Sequence, residues 1–244
     1  MERILEFGEK RFWPDIRRLY DMKEVIYDKE FLSQAENIEL YYMYRDVFLD
    51  KKDKKTMEEN NLRYDITIIP PMRLGKEFVK TAGHYHPFVP GTNITYPEVY
   101  EVLEGKAHYL LQKKEHDKIT DVVLVSAEKN DKVIIPPGYA HVTINPSKNV
   151  LKMANWVASN FSSVYGPIKK MHGAAYFETT AGFVKNGNYK YLPEIRFLKP
   201  KEYKNAGLTK DRDMYYIIRD NPKVLEFLTK PSGLSFPVII SSFI

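Results

Sequence analysis

From Ile38 to about Ala158 the chain is a succession of short apolar runs broken by turn residues, and this texture restricts the fold more than any other feature. IELYYMYRDVFL, YDITIIP, EFVKTAGHYH, EVYEVLEG, AHYLLQ, DVVLVSA, DKVIIPPG, HVTIN and VLKMANWVA are each rich in β-branched and aromatic residues. Parallel strands need a crossover of about a dozen residues or more, usually a helix. The gaps here are too short for that. The runs therefore predict an all-β core, an antiparallel sandwich or barrel.

The flanks read differently. Residues 11 to 37 carry helical patches, with Pro14 and Asp15 at a first turn and Ile16, Leu19 and Tyr20 spaced as one face. KKDKK, at Lys51 to Lys55, reads as an exposed loop. After Tyr165, YFETTAGFVKNGNYKYL predicts a hairpin around Asn186-Gly187. NPKVLEFLTKP predicts a short helix with Asn221 as cap and Pro222 at its first position. The organisation expected is an N-terminal helical extension over 1–37, a barrel domain over 38–198 and a C-terminal extension over 199–244 packed on the barrel.

At 244 residues the chain can bury a sizeable core. It has no cysteine, which excludes disulfides and thiolate metal sites. No run approaches the ~18 apolar residues of a membrane span, and the opening MERILEFGEKRFW lacks a signal-like apolar stretch. A cytoplasmic protein with no membrane partner is the expectation. Lys plus Arg number 37 against 32 Asp plus Glu. That mild excess suits a solvated surface and a small anionic substrate better than nucleic acid.

The densest chemistry lies in TAGHYHPFVPGTNITYPEVYEVL, Thr81 to Leu103. Side chains alternate along a strand, so His84 and His86 project to one side. Glu98, Tyr100 and Val102 share a face by the same rule. Further on, VIIPPGYAHVTIN turns at Pro136-Pro137-Gly138 and delivers His141 at the start of a strand. Three imidazoles and one carboxylate suit a borderline divalent metal such as Fe, Mn, Ni, Co or Zn, with positions left open for a substrate. His108, His116 and His172 read as ordinary core or surface residues. His116, in KKEHDK, marks a hairpin tip.

Glu98, six residues and Gly105, with the HxH upstream, match the first cupin motif. Asn130, five residues, Pro136-Pro137-Gly138, two residues, His141, three residues and Asn145 match the second. Only the usual opening glycine differs, and asparagine is a good substitute at a left-handed position. The pair implies a cupin double-stranded β-helix, or jelly-roll barrel, with a metal in its mouth. Within the cupins the chain resembles the archaeal-type glucose-6-phosphate isomerase family from about Asp65 to Gly166. DITIIPPMRLGKEFVKTAGHYH, PEVYEVLEGKAHYLLQ, PPGYAHVTIN and Tyr165-Gly166 carry the likeness.

That resemblance implies metal binding by His84, His86, Glu98 and His141, with one divalent ion per chain, Fe2+ first and Mn2+, Ni2+ or Zn2+ as substitutes. It implies that Thr67, Thr81 and Gly83 hold a phosphosugar's phosphate, that Tyr100 and Tyr165 line the cavity, and that Glu98 is catalytic. Arg73 and Lys76, in the turn between the threonines, are candidates to add charge. Interconversion of glucose 6-phosphate and fructose 6-phosphate is the implied reaction, in glycolysis and gluconeogenesis. A metal-dependent cupin dioxygenase, a non-catalytic sugar-binding cupin, and an isomerase of another phosphosugar such as mannose 6-phosphate are the alternatives. An apolar outer sheet face and the dimeric relatives imply a homodimer. Three features depart from the family: eleven residues separate His86 from Glu98, Ser163 stands where relatives carry a histidine, and Val157 stands where they carry a tyrosine.

Overall fold

The computed structural model describes residues 3–232, and two facing β-sheets organise it. A six-stranded antiparallel sheet runs in the order Lys132–Ile135, Glu98–Glu104, Leu151–Ala158, Leu62–Ile69, Glu39–Tyr44, Asp15–Arg18. A four-stranded sheet runs in the order Tyr139–Ile144, Lys106–Glu115, Lys118–Glu128, Arg196–Leu198, its last pairing parallel. The strands alternate between the sheets as a double-stranded β-helix does, so the cupin fold read from the motifs is present. It is an open sandwich: no strand pairing closes the two sheets into a barrel among the described residues.

Period-two alternation sorts the side chains into three layers. Tyr100, Val102, Leu111, Val125, Val133 and Met153 point between the sheets and form the inner core. On the outer face of the larger sheet, Tyr64, Ile66, Val99 and Trp156 are covered by Met57 and by Met214, Tyr215 and Ile217 of the C-terminal segment. On the outer face of the smaller sheet, Leu110, Leu124 and Val142 pack against Tyr176 and partly buried Phe183. Both outer faces are therefore covered by this chain itself.

Several local expectations are corrected. Pro14 and Asp15 do not open a helix. Asp15–Arg18 is an edge strand, because pairing Arg17 with Tyr41 completes the sheet, and helical structure starts only at Leu19. KKDKK is no loop but the first turns of the helix Lys51–Glu59, with Asp50 as its N-cap. Asp53 in it is buried and accepts hydrogen bonds from the Tyr215 hydroxyl (2.6 Å) and Arg219 (2.7 Å). The hairpin after Tyr165 pairs Tyr176–Thr179 with Gly182–Lys185 and turns at Thr180-Ala181. Asn186 sits beyond it, its buried amide donating to the Met171 and Ala174 carbonyls. His108, read as an ordinary core or surface residue, faces Glu178 at 2.9 Å. The tail helix divides into a 3-10 turn, Pro222–Leu225, and the helical turn Glu226–Thr229, and the Asn221 side chain makes no cap bond. Residues 233–244 of the expected extension lie outside the described residues.

The C-terminal segment is fixed by buried polar contacts as well as by packing. Lys132 and Glu101, 1% and 2% exposed at the side chain, pair at 2.9 Å on the outward side of the sheet. Glu101 also accepts the Met214 N–H at 2.8 Å, and Trp156 Nε1 donates to the Met214 carbonyl at 3.0 Å. Removing one member of a buried pair leaves the other charge uncompensated, at about 3–5 kcal/mol. Glu101→Ala is therefore expected to lower the unfolding free energy by about that much in urea titration, and Lys132→Met introduced beside it to recover part of the loss. A single variant within about 0.5 kcal/mol of the parent would contradict this account.

Candidate functional site

The segment around His84 is held by single bridges rather than by a long strand. Lys80 pairs with Ile144 and His84 with His141, as a ribbon along the edge strand Tyr139–Ile144. His84 N donates to the His141 carbonyl at 3.3 Å, and His141 N returns a bond to the His84 carbonyl at 3.1 Å. This reciprocal pair brings together two residues far apart in sequence, and alternation puts His86 on the same side as His84. Glu98 enters from the facing sheet, at the first position of Glu98–Glu104. Three imidazoles thus come from one sheet and the carboxylate from the other.

The four side chains converge. His84 Nε2 lies 3.2 Å from His86 Nε2, and Glu98 Oε2 lies 3.4 Å from His86 Nε2 and 3.2 Å from His141 Nε2. One donor atom from each residue falls within 4.8 Å of all the others. Ligands at ~2.0–2.2 Å from a shared centre have mutual spacings of this size. Two further observations fit a cation. Glu98 Oε2 is buried and takes no hydrogen bond of regular geometry from the described residues. His86 Nδ1 lies 2.8 Å from the Tyr96 carbonyl; donating its proton there leaves the Nε2 lone pair facing the cluster. The residues present fit a divalent metal.

Electrostatics agree with that reading. Burial pushes the His84 imidazole well below its ordinary value, with the neighbouring His141 and His86 adding to the shift. Burial likewise takes His86 down to about 4, against the opposing pull of Glu98. These imidazoles are therefore neutral near pH 7, the form that binds metals. Burial alone would raise the Glu98 carboxyl, but the His141 and His86 imidazoles beside it outweigh that effect and hold it below the usual range. Tyr100 is pushed well above the ordinary phenol value by burial, then by the Glu98 charge. It remains a neutral hydroxyl, 3.1 Å from His141 Nε2.

The long His86–Glu98 connection is an ordered part of the site. It folds as a small hairpin, with Phe88 bridged to Thr95 and Val89 N donating to the Ile94 carbonyl at 2.9 Å. Its Thr95 hydroxyl accepts the Gly138 N–H at 2.7 Å, tying the insertion to the turn before His141. Tyr96 stacks on Phe161 at 4.6 Å between ring centroids, and Phe161 sits 4.7 Å from the His86 ring. The insertion thus holds His86 both by a carbonyl and by an aromatic wall.

Thr67, Thr81, Gly83, Tyr100 and Tyr165 line the same cavity as the four metal-set residues. Val157 and Ser163, where the family pattern differs, line it too. The runs that carry the two threonines do not pair with each other. Thr67 pairs with Met43 and Met153 in the larger sheet, whereas Thr81 bonds to Thr143 across the other ribbon, so they face each other from opposite walls. The Thr81 hydroxyl already accepts the Thr143 N–H at 3.0 Å and keeps its proton to donate. Gly83 has φ +77, and a Cβ there would meet Val142 Cγ2 at 2.6 Å, so packing alone requires glycine at this position.

Arg73 and Lys76 lie elsewhere. Arg73 borders a separate depression beside Pro71 and Phe78, and the Lys76 N–H bonds to Asp28. The cavity's cations are instead Arg45 and Arg63, with Tyr41 and Asn155 also on its wall. Sequence reasoning missed these four, although a signal existed for Arg63 and Asn155. Asp65 and Thr67 lie on the cavity face of Leu62–Ile69, so Arg63 must share it, and the register sets Asn155 opposite Asp65.

The family model described as glucose-6-phosphate isomerase (GPI) matches residues 16–194. Relatives named glucose-6-phosphate isomerase include one from Pyrococcus furiosus and one from Thermococcus litoralis, each 32% identical over 58% of this chain and 66% of its own length. A third, from Thermococcus onnurineus, is 28% identical over 64% of this chain and 75% of its own. The chain thus spans just under two thirds of the first two relatives. Among solved structures, oxalate decarboxylase from Bacillus subtilis is 16% identical over 55% of this chain and 30% of that one, at a TM-score of 0.36. With the matched segment running through both sheets and every residue of the His/Glu cluster, this chain belongs to the glucose-6-phosphate isomerase (GPI) family.

Proposed function

We propose that this chain interconverts glucose 6-phosphate and fructose 6-phosphate with a divalent metal, Fe2+ for preference, held by His84, His86, Glu98 and His141. The observation that carries the proposal is the buried convergence of three imidazoles and one carboxylate on a cavity whose further walls present Thr67, Thr81 and Tyr165. Membership of the family supports the substrate class.

A bound divalent cation supplies electrophilic polarisation of the sugar's carbonyl and hydroxyl oxygens. The chain's own groups do the rest. Isomerisation moves one hydrogen between C1 and C2 of the open-chain sugar and one proton between the attached oxygens. In the enediol route Glu98, desolvated beside the imidazoles, takes the C2 proton and returns it at C1; a direct hydride shift between the carbons is the other route. The Tyr100 hydroxyl, kept neutral by burial, is a donor for a sugar oxygen. Phe161, stacked between Tyr96 and His86, keeps water from that side of the cluster. Thr67 and Thr81 offer hydroxyl donors to the phosphate from opposite walls.

Metal content is the first check. Full-length protein reconstituted with Fe2+ or Mn2+ should hold one ion per chain by elemental analysis, and His141→Ala should lose it. A parent that binds no divalent ion would refute the metal reading.

In metal-loaded Glu98→Gln, turnover in a coupled fructose 6-phosphate assay should fall by about 10² to 10⁴-fold, the usual range for a general base, with metal retained better than activity. Near-parental turnover would limit Glu98 to holding the ion. Thr67→Val, which leaves the sheet pairing intact, should weaken phosphosugar binding by roughly ten- to a hundredfold, for a lost charge-assisted bond of about 1.5–3 kcal/mol. Unchanged KM and unchanged inhibition by inorganic phosphate would remove Thr67 from the substrate site.

A further inference from the structure

The two guanidinium groups that line the cavity share one buried carboxylate. Asp65, fully buried, accepts Arg45 Nη1 at 2.9 Å and Arg63 Nε at 2.9 and 3.0 Å. One carboxylate therefore serves two guanidinium groups that both line the cavity. The other carboxylate near Arg45 is Asp15, 3.8 Å away and 73% exposed at the rim, where water screens it.

A third guanidinium arrives from the edge strand Asp15–Arg18. Arg17 pairs in register with Tyr41 and lies against the Tyr41 hydroxyl, with its Cζ 5.8 Å from the centre of the Tyr165 ring. The Arg17 Nε is buried and has no hydrogen-bond partner among the described residues. The Tyr41 hydroxyl receives the Ala82 N–H at 3.3 Å, from the peptide between Thr81 and Gly83. Arg17 thus approaches the cavity end where the threonines and this glycine sit. Arg45 borders the same end, its Nη2 3.1 Å from the sulfur of Met43, which pairs with Thr67.

A buried guanidinium N–H without a partner is unusual in a folded protein unless a ligand completes it. Neutral hydroxyl donors, for their part, orient a phosphate without neutralising it. We propose that Arg17 and Arg45 form the charged half of an anion subsite with Thr67, Thr81 and Gly83, and that it takes a phosphomonoester dianion. The subsite separates phosphosugars from neutral sugars, and it rests on the isomerase reading for the identity of the sugar. It also makes the N-terminal edge strand part of the substrate site.

Inorganic phosphate is the probe. Its dissociation constant is measured by calorimetry on the metal-loaded full chain, for the parent, Arg17→Gln, Arg45→Gln and Arg73→Gln as a control away from the cavity. Each of the first two variants should weaken phosphate binding by roughly ten- to a hundredfold, with unchanged metal content, and the control should match the parent. The preference for fructose 6-phosphate over fructose in kcat/KM should fall in parallel. Arg17→Lys and Arg45→Lys keep the charge without the fork and should regain part of the affinity; they also serve if a glutamine variant fails to fold. Folded, metal-loaded variants that bind phosphate within twofold of the parent would overturn the subsite. If the parent isomerises while that happens, only the subsite fails. A parent that binds phosphate through these arginines but does not isomerise leaves the subsite standing and removes the isomerase reading.

Discussion

The reciprocal backbone pair between His84 and His141 is the constraint on which the site depends. Neither histidine lies near the other in sequence, and the segment carrying His84 forms no long strand of its own. Two hydrogen bonds, 3.3 and 3.1 Å, fix the phase of the HxH ribbon against Tyr139–Ile144. A slip of one residue would turn His84 and His86 away from the cavity and present Tyr85 instead. Gly83 permits the approach, since a side chain there would strike Val142. The flanking bond from Thr81 to Thr143, 2.8 Å, guards the register from the other side.

Among the described residues, several buried charges are held in contacts that join segments distant in sequence. Lys132 and Glu101 join the sheet to Met214 of the C-terminal segment. Glu77, fully buried, pairs with Lys80 and accepts the Tyr27 N–H at 2.6 Å, fixing the N-terminal helical region beside the ribbon that leads to His84. Asp53 joins the helix Lys51–Glu59 to Tyr215 and Arg219. Such pairs add little net stability, because desolvation offsets attraction. They do penalise any packing that leaves one member unpaired. The extensions are thereby oriented on the sandwich.

Much of the centre was legible in the sequence because its signals are local. HxH spacing, a glutamate opening a strand and a Pro-Pro-Gly turn before His141 each describe geometry within a few residues. Asn130 shows the same point: it stands in place of the motif's glycine and adopts φ +68, as a left-handed position demands. What was missed depended on partners elsewhere in the chain. Asp15–Arg18 carries a helix-like spacing, yet pairing with Glu39–Tyr44 decides it. Lys51 to Lys55 looked like a solvated loop, although Asp50 ahead of it and the Lys54–Glu58 and Lys55–Glu59 spacings were helix signals. The buried role of Asp53 needed Tyr215 and Arg219, more than 160 positions away. Arg17 and Arg45 were invisible for that reason too.

The cavity is polar in a directional sense, and this follows from strand register. Glu98 lies opposite Val157, and Val157 opposite Arg63, in one row across the larger sheet. The next row runs Tyr100, Asn155, Asp65. Two strand spacings of about 4.8 Å separate the carboxylate of the His/Glu cluster from the strand that carries Arg63 and Asp65. The negative and neutral ligands therefore stand at one edge of the wall and the guanidinium groups at the other, with apolar Val157 and neutral Asn155 between. A substrate with a reactive carbonyl at one end and an anion at the other matches that order in one orientation and opposes it in the reverse. A small dianion without such length reaches only one end. The register of three strands thus gives the cavity its electrostatic direction.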